Sequence, residues 1–599
     1  MGNTAYAHSY IDESRVTAKT PWLASYDPEC PAHLDYFMGT LEEAFERMAE
    51  KYPDYIAYDF MGKSTTYKKA IADIHACAKA LKAMGIKEGD KITICMPNAP
   101  QTVSIFYAVN MVGAIANMVH PLSAVKEIAF CLRDSESVAA ITLDQFYDKF
   151  VEVRREVELP HLIITSVADA LSPIMKLGYK LTEGRKIKKP EGDDFIWWKD
   201  FLKQGENVTD YRCHRDAGAP PAIGVPPFPP CRGAAGAPAA ILYSGGTTGT
   251  MKGISLSNLN FNALAAQIIA TNSFFRPGDK MLAIMPMFHG FGLGVSIHSM
   301  LANGGHCILI PRFTPKSYAQ LLKKHRPNLI AGVPSLFEAL LRVPEADALE
   351  LSCLKGVFSG GDSLSVELKK RFDAFLGSHG ATIKVREGYG TTECVTASCL
   401  TPMHKAKEGS IGLPFPDTYY KIVKPGTTQE VPYGEEGEIC LAGPTVMLCY
   451  VNHPKETADT MKDHGDGLIW VHTGDLGKMD EEGFIYFRQR IKRMIVTNGY
   501  NVYPSQIENV LEAHEAVHLA CVIGVKDPIR VQRVKAFIML KPGYEGSEEL
   551  KKSILEHCTK YVAKYAMPRE LEFRPELPKT LVGKVAYRVL EEEEAAKER

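Results

Sequence analysis

Short apolar runs alternate with helix-period stretches along residues 41–359, and this alternation limits the possible folds more than any other feature of the chain. It is typical of parallel sheets covered by helices, because parallel strands need a crossover connection. The predicted strands lie at 56–60, 91–96, 114–119, 138–143, 162–166, 280–285, 306–311, 328–333 and 354–359. The predicted helices among the first of these lie at 41–51, 67–84, 102–112, 125–134 and 147–157. Residues 1–40 are polar and rich in proline, and we expect them to be irregular and to lie on the surface.

The alternation stops at two places. Residues about 167–238 form an insertion in which 171–198 combine apolar and basic side chains, while 219–238 are rich in Pro, Gly and Ala and are expected to form an extended linker. After residue 490, the pattern predicts helices at 504–514 and 547–565 and strands at 494–496, 519–524 and 534–540. We therefore predict an α/β fold with a large N-terminal domain, 1–490, built of parallel or mixed sheets flanked by helices, and a small C-terminal α+β domain, 491–599.

Composition limits the class of function. The chain has 599 residues and a net charge of −2, so no overall field attracts nucleic acid. Its 14 cysteines include no CxxC pair, and with no signal peptide at the start they predict reduced thiols in a cytoplasmic protein. No clean apolar run is long enough for a membrane span. Two interpretations of segment 171–198 stay open: it lies on an anionic membrane surface, or it is a solvated insertion that packs its tryptophans on the domain. We expect a monomer or a homodimer.

A loop rich in glycine and hydroxyl side chains follows the strand-like run at 239–243 and precedes Lys252 and a helix that begins near Ser257. Such a loop can turn several N–H groups inward, and a lysine adds a full positive charge, which is typical of a site that wraps a phosphate chain. It is not a Walker A loop, because Lys252 is followed by Gly253 rather than by Ser or Thr. The loop consists of Ser244, Gly245, Gly246, Thr247, Thr248, Gly249 and Thr250.

The stretch from Tyr243 to Gly253 resembles the first signature of the adenylate-forming (AMP-binding) superfamily, which includes acyl-CoA synthetases, luciferases and peptide-synthetase adenylation domains. Four further resemblances follow in the order typical of that superfamily. They lie at 388–393, 473–475, 488–492 and 578–584. Met251 and Gln489 replace residues that are more usual there. Taken together, the chain most resembles a long- or medium-chain fatty-acyl-CoA synthetase.

The resemblance implies a role for each matching residue. Residues Ser244–Gly249 and Lys252 would hold the polyphosphate, Thr391 and Thr392 would meet the α-phosphate, and Glu393 would hold Mg²⁺, the only cofactor implied. The adenine would lie against Gly360, Gly361, Asp362, Gly388, Tyr389 and Gly390, and the ribose against Asp475 and Arg490.

It also implies a two-step reaction, in which the acid and ATP give acyl-AMP and pyrophosphate and CoA then takes the acyl group. Lys584 would bridge the attacking carboxylate and the α-phosphate, and the small domain would be mobile and turn about Lys492. Gly499 and Tyr500 would then line the CoA path. His289 would lie near the carboxylate or gate the acyl tunnel, with a core histidine as the alternative. The partners implied are small molecules: ATP, a fatty acid and CoA.

Other functions remain open at this point. A fatty-acyl-AMP ligase that loads an acyl carrier protein and a luciferase-like adenylating oxygenase share these signatures. A non-catalytic lipid-binding relative should lack Lys252, Glu393, Asp475 or Lys584, and all four are present.

The sequence His514-Glu515-Ala516-Val517-His518 is a literal H-E-x-x-H motif, which binds zinc when both histidines share a helical face. We reject a zinc protease, because the helix is expected to end near His514 and a strand to begin near Val517.

Overall fold

The computed structural model describes residues 6–8, 17–192, 194–213, 233–245, 251–497, 500–527, 531–580 and 585–597. Within these residues, two large sheets, two smaller sheets and one short strand pair form a mixed α/β fold. The predicted fold class is therefore confirmed. The described α-helices are Leu41–Lys51, Tyr67–Ala83, Pro100–Met111, Val125–Ser135, Tyr147–Glu156, Val167–Ala170, Pro173–Leu181, Trp198–Gln204, Asn258–Ala270, Ser299–Leu301, Pro315–His325, Pro334–Leu340, Val366–Ser378, Pro454–Thr460, Pro504–Glu512, Glu548–Thr559 and Tyr587–Lys597.

The first large sheet is parallel except at one edge. In spatial order its strands are Cys449–Tyr450, Met251–Ser257, Pro238–Gly245, Ile115–Met118, Lys91–Cys95, Ser137–Leu143, His161–Thr165 and Ile196–Trp197. The antiparallel edge consists of Cys449–Tyr450, Met251–Ser257 and Pro238–Gly245. This edge therefore carries the predicted phosphate loop.

The second large sheet has a parallel centre of six strands. In spatial order the strands are Leu413–Pro414, Cys399–Leu400, Val385–Tyr389, Gly356–Ser359, Leu329–Gly332, Lys280–Ala283, His306–Leu309, Ile56–Phe60 and Lys63–Thr66. One hydrophobic core joins residues of both large sheets. Every residue of helix Pro100–Met111 except its first is buried, and its apolar side chains belong to that core.

The two smaller sheets follow later in the chain. The antiparallel one contains Tyr419–Val423, Gly437–Ala442, Ile469–Met479, Met461–Asp463 and Ile485–Arg490. The C-terminal one contains Tyr500–Val502, Ile495–Thr497, Val531–Leu540, Val517–Asp527 and Glu570–Phe573, and has its own hydrophobic core with helices Pro504–Glu512 and Glu548–Thr559. The division at residue 490 stays a prediction.

The first forty residues differ from their prediction. Strand Tyr6–His8 pairs with strand Asp35–Phe37, and a 3₁₀ turn spans Pro21–Ser25. Trp22 is 1 % exposed and Tyr36 is fully buried, because both aromatic rings fill gaps between later elements. The polar composition of this segment gave no indication that these two aromatic side chains would be buried.

The insertion contains more regular structure than predicted. Helix Pro173–Leu181 presents apolar side chains to solvent, and strand Ile196–Trp197 extends the first large sheet. Trp198 and Phe201 are buried against the domain. Most of the predicted linker, 214–232, lies outside the described residues. Among the residues that are described, no helix combines the length and the apolar character needed to cross a bilayer.

Candidate active site

One cavity of about 2270 Å³ is lined by residues from the segments to which the sequence analysis assigned a role. Lys252, Glu393 and Asp475 all line it, although they belong to three different sheets or their connections. The other predicted site residues that line it are Ser244, His289, Gly360, Gly361, Asp362, Gly388, Tyr389, Gly390, Thr391, Thr392 and Arg490. The fold therefore brings residues more than two hundred positions apart to one site.

The described strands on either side of the predicted phosphate loop pair with each other in antiparallel fashion. Ser244 and Gly245 belong to strand Pro238–Gly245, and Lys252 belongs to strand Met251–Ser257 directly opposite Ser244. The strand Met251–Ser257 was not predicted, whereas the helix expected near Ser257 does follow it, as Asn258–Ala270 with Ser257 as its N-cap. Gly246, Thr247, Thr248, Gly249 and Thr250 lie outside the described residues.

Tyr450 connects the lysine and the carboxylate of this site. Lys252 Nζ lies 4.8 Å from the centroid of its ring, and its hydroxyl donates a hydrogen bond of 2.7 Å to Glu393 Oε1. Burial and the neighbouring Glu393 raise the pKa of Tyr450, so its hydroxyl keeps its proton and donates. Sequence reasoning missed Tyr450. Its strand pairs with strand Met251–Ser257 through Ile254, a contact that no local pattern reveals.

A strained turn follows Glu393. Val395 has φ 64° and ψ −58°, and Thr396 N donates to Cys394 O at 2.7 Å, which closes a γ-turn of the rare positive-φ type. A β-branched residue in this region is held there only by surrounding contacts. A Cβ on Gly290 would lie 1.8 Å from Val395 O, so the His289 segment packs directly against this turn.

Asp475 is a buried polar centre of the site with a partner on each carboxylate oxygen. Its carboxylate accepts a hydrogen bond of 2.6 Å from Tyr389 Oη and pairs with Arg490 Nε at 2.8 Å, and the residue is 1 % exposed. Asp475 and Arg490 face each other on adjacent antiparallel strands, so strand register fixes the pair. The Asp475 charge raises the pKa of Arg490 further.

The turn that carries Asp475 is held from behind by Glu438. Glu438 Oε1 accepts from Gly474 N at 3.0 Å and Oε2 accepts from His472 Nδ1 at 2.9 Å. Gly474 has φ 70°, which favours glycine. Sequence reasoning assigned no role to Glu438.

The two glycine-containing segments predicted to line adenine are in direct contact. Strands Gly356–Ser359 and Val385–Tyr389 pair in parallel, and a Cβ on Gly360 would lie 3.2 Å from Gly388 O. Gly361 has φ 81°. The backbone of both segments is thereby exposed to the cavity without intervening side chains.

The cavity also has an apolar arm next to His289. A hydrogen bond from Phe291 N to His289 Nδ1, 3.1 Å long, orients the imidazole, and a π-helix, Phe291–His298, follows. Asn98 fixes the preceding segment through bonds to Met285 O and Met287 N. The apolar residues that line this part of the cavity include Ile268, Ile269, Phe274, Phe275, Met281, Val295, Met300 and Leu329.

The C-terminal unit forms part of the cavity wall. The cavity is lined by Lys579, Thr580 and residues 585–588. The backbone of Lys579 forms an isolated antiparallel β-bridge with that of Val585. Lys584 itself lies outside the described residues, as does Gly499. The backbone of Lys492 belongs to the 3₁₀ turn Ile491–Arg493, and that of Tyr500 to strand Tyr500–Val502; their side chains are not described.

The H-E-x-x-H histidines do not share a helical face. The helix ends at Glu512, and His518 lies in strand Val517–Asp527. His514 Nε2 is 3.1 Å from Ser553 Oγ, whereas His518 contacts Arg342 of the N-terminal part. This geometry agrees with the rejection of a zinc protease.

Comparison with known proteins identifies the family. The model of the AMP-binding enzyme family matches residues 45–451, and that of the AMP-binding enzyme C-terminal domain matches residues 506–584. A long-chain-fatty-acid–CoA ligase of Bacillus subtilis (strain 168) is 35% identical over 582 residues, which cover 96% of this chain and 98% of that protein. A ligase of the same name from Yersinia pestis is 32% identical over 584 residues, with 96% and 98% covered.

Solved structures share the fold. An anthranilate CoA ligase in complex with anthranoyl-AMP superposes with a TM-score of 0.80 at 23% identity, over 94% of this chain and 98% of that one. A Mycobacterium tuberculosis fatty acyl CoA synthetase gives a TM-score of 0.66 at 24% identity, over 93% and 99%. With both family models matched in order along the sequence, the chain belongs to the AMP-binding enzyme family.

Proposed function

We propose that this enzyme is an AMP-forming fatty-acyl-CoA synthetase. In the first step a carboxylate oxygen of the fatty acid attacks the α-phosphorus of ATP, and pyrophosphate leaves. In the second step the thiolate of CoA attacks the carbonyl of the acyl-adenylate, and AMP leaves. The observation that carries the proposal is the single cavity lined by Lys252, Glu393, Asp475 and an apolar arm beside His289.

The nucleotide end of the cavity supports the first step. The buried Asp475 carboxylate is oriented by Tyr389 and Arg490, which positions it to accept hydrogen bonds from ribose hydroxyls. The glycine segments at 360–361 and 388–390 leave room for a flat base. Lys252 places positive charge beside the predicted phosphate loop, where the polyphosphate would lie.

The residues present also suit magnesium. Glu393 is a partly exposed carboxylate at the cavity wall, oriented by Tyr450, and Mg²⁺ typically takes one or two carboxylates together with phosphate oxygens and water. We propose Glu393 as its ligand. The bound ion would neutralise charge on the phosphates. Tyr450 holds the Glu393 carboxylate toward the cavity and keeps Lys252 beside it.

We assign the remaining roles as follows. Lys584 would stabilise the charge that develops between carboxylate and α-phosphorus, because the residues on both sides of it line the same cavity. The turn Ile491–Arg493 would be the pivot at Lys492, and the loop at Gly499 and Tyr500 would meet CoA after rotation. Thr391 and Thr392 would contact the α-phosphate.

The apolar arm favours a medium or long acyl chain. Its lining is made of aliphatic and aromatic side chains, which suit an alkyl tail. The Bacillus subtilis and Yersinia pestis relatives are named as long-chain-fatty-acid–CoA ligases, which agrees with this assignment.

The function is tested by pyrophosphate release from ATP with acids from butyrate to stearate. We expect the rate to depend on acid and to be highest for medium or long chains. Val295→Phe should shift the preference toward shorter acids by filling the arm, whereas Leu122→Phe, at an exposed position, should not. Release only with short or aromatic acids would overturn the proposed substrate class.

The acceptor is tested separately. Thioester formation should occur with CoA; thioester formation only with holo acyl carrier protein would instead identify an acyl-AMP ligase. Oxygen uptake or light emission from a CoA-free adenylate would identify a luciferase-like oxygenase.

We also propose a cytoplasmic location with peripheral membrane contact through segment 171–198. Ile174 is 85% exposed and Leu177 and Leu181 are each 62% exposed, and basic side chains follow at 185–189. Exposed apolar groups beside basic ones suit an anionic lipid surface. Co-sedimentation with phosphatidylglycerol vesicles should fall for the double variant Ile174→Ser/Leu177→Ser but not for Leu122→Ser. Equal binding by the unchanged protein and both variants would contradict this contact. Light scattering distinguishes between the two expected oligomeric states, a monomer and a homodimer.

A further inference from the structure

We propose that Cys440, His464 and His472 form a binding site for a borderline-soft divalent metal ion of the Zn²⁺ type, separate from the magnesium site at Glu393. One ligand atom from each of the three residues lies within 4.8 Å of the other two. Thiolate and imidazole are the donors that zinc prefers, and three protein ligands leave a fourth position for water.

The three residues are brought together by strand register and one loop. Cys440 and His472 are directly opposite each other on adjacent antiparallel strands, and both are buried. His464 precedes the second strand, is partly exposed, and stacks on Trp470 with ring centroids 5.6 Å apart. Two of the three ligands are therefore rigid, and the third lies where an ion can enter.

Hydrogen bonding already orients His472 for coordination. Because a carboxylate can only accept, the 2.9 Å contact with Glu438 fixes the proton of His472 on Nδ1, and Nε2 carries the lone pair. A histidine that donates one ring N–H to a carboxylate while its other nitrogen faces the site is the usual arrangement around zinc. Glu438 would therefore act as a positioning residue.

The two imidazoles are close to their coordinated separation. His464 Nε2 and His472 Nε2 are 3.0 Å apart. Tetrahedral zinc with Zn–N bonds of about 2.0–2.1 Å places two nitrogens about 3.4 Å apart, so coordination needs only a small opening of this contact. The His464 proton would move from Nε2 to Nδ1, and no group in the described part of the chain hydrogen-bonds that Nδ1. The Cys440 thiol would release its proton to solvent.

Nearby positive charge does not prevent binding. Lys421, which is opposite Cys440 on the other neighbouring strand, forms an ion pair with Asp466 and lies 4.2 Å from the Trp470 ring centroid. Its charge is thus compensated locally. The thiolate of Cys440 and the carboxylate of Glu438 would balance the two charges of the metal.

This site adjoins the turn that carries Asp475. Glu438 contacts both His472 and Gly474, so an ion on His472 would hold the turn more firmly. We therefore expect zinc to raise the melting temperature of the protein.

The test uses the full-length protein freed of metal with a chelator and titrated with Co²⁺. We expect one equivalent to bind with a thiolate-to-cobalt charge-transfer band, to be displaced by Zn²⁺, and to be unaffected by excess Mg²⁺, which avoids sulfur and nitrogen ligands. Cys440→Ser should lose the band, and His464→Gln should lower the affinity at least tenfold and abolish the zinc-induced rise in melting temperature.

Controls are available elsewhere in the chain. Cys353→Ser and His379→Gln change the same residue types away from the cluster and should bind as the unchanged protein does. His464 is partly exposed, so His464→Gln should fold even if Cys440→Ser does not. Absence of the charge-transfer band in the unchanged protein, or equal affinity in His464→Gln, would overturn the proposal.

Discussion

At the scale of single residues, the site depends on carboxylates held by tyrosines. Tyr389 donates to Asp475, and Tyr450 donates to Glu393. The two carboxylates could be predicted from sequence because each belongs to a motif. Only Tyr389 of the two tyrosines was assigned to the site, and neither hydrogen bond was foreseen, because both join residues far apart in the chain.

Replacement of Asp475 by Asn should weaken nucleotide binding. The amide carries no negative charge, so it accepts weaker hydrogen bonds from ribose hydroxyls than the carboxylate does and does not balance the charge of Arg490. The loss of charge-assisted hydrogen bonding is about 1.5–3 kcal/mol, which corresponds to an increase of about 10- to 150-fold in KM for ATP. Steady-state kinetics with varied ATP measure this. Asp347→Asn, at an exposed aspartate, is the control, and an unchanged KM for ATP in Asp475→Asn would contradict the ribose contact.

Replacement of Glu393 by Gln should make adenylation depend more steeply on magnesium. The amide oxygen still accepts from Tyr450, so the loop keeps its position while the negative charge is removed. We expect a rate loss of about 10²-fold at fixed Mg²⁺, partly recovered at higher concentration. Pyrophosphate release over a Mg²⁺ series, with Glu158→Gln as the control, measures this; an identical magnesium dependence would remove Glu393 from the role.

At the scale of elements, most of the helices and strands that local periodicity predicted lie within a few residues of their observed ends. Helix Leu41–Lys51, for example, has a Thr40–Glu43 capping box that starts it where the apolar pattern begins. What could not be predicted are pairings. The strand Met251–Ser257 pairs with the neighbouring strand Pro238–Gly245, and its other edge pairs with Cys449–Tyr450, which is about two hundred positions further along the chain.

Replacement of Gly290 by Ala tests how closely two elements must approach. The added Cβ would lie 1.8 Å from Val395 O and must displace the γ-turn that follows Glu393. A shift of about 1 Å in a catalytic segment can cost about 10²-fold in rate. Gly377→Ala, whose Cβ would meet nothing within 4 Å, should keep full activity.

The measurement for Gly290→Ala is the adenylation rate together with the melting temperature. We expect the rate to fall far more than the stability. Full activity in Gly290→Ala would show that the γ-turn does not position Glu393.

At the scale of the whole molecule, the C-terminal unit closes one side of the cavity. Ser505 Oγ donates to Arg488 O at 2.5 Å, and Arg342 contacts His518 across the boundary. Both contacts are polar, which suits the rotation proposed for the C-terminal unit.

Replacement of Lys584 by Ala should separate the two half-reactions. Pyrophosphate release from acid and ATP should fall by roughly 10²–10³-fold, because a charge that stabilises the transition state is lost. Conversion of supplied acyl-AMP and CoA to acyl-CoA should continue. Both rates are measured for Lys584→Ala and for Lys564→Ala, an exposed control, and equal loss in both half-reactions would contradict the rotation of the small domain.

Arg490 contacts the proposed ribose site and also leads directly into the proposed pivot. It is the ion-pair partner of Asp475, and it is the last residue of the strand that leads into the turn Ile491–Arg493. We expect a ribose hydroxyl that donates a hydrogen bond to Asp475 to loosen or redirect the Asp475–Arg490 ion pair. We expect the pair to re-form when the nucleotide leaves. We therefore expect occupancy of the proposed ribose site to affect the proposed pivot at Ile491–Arg493 directly, through two adjacent strands.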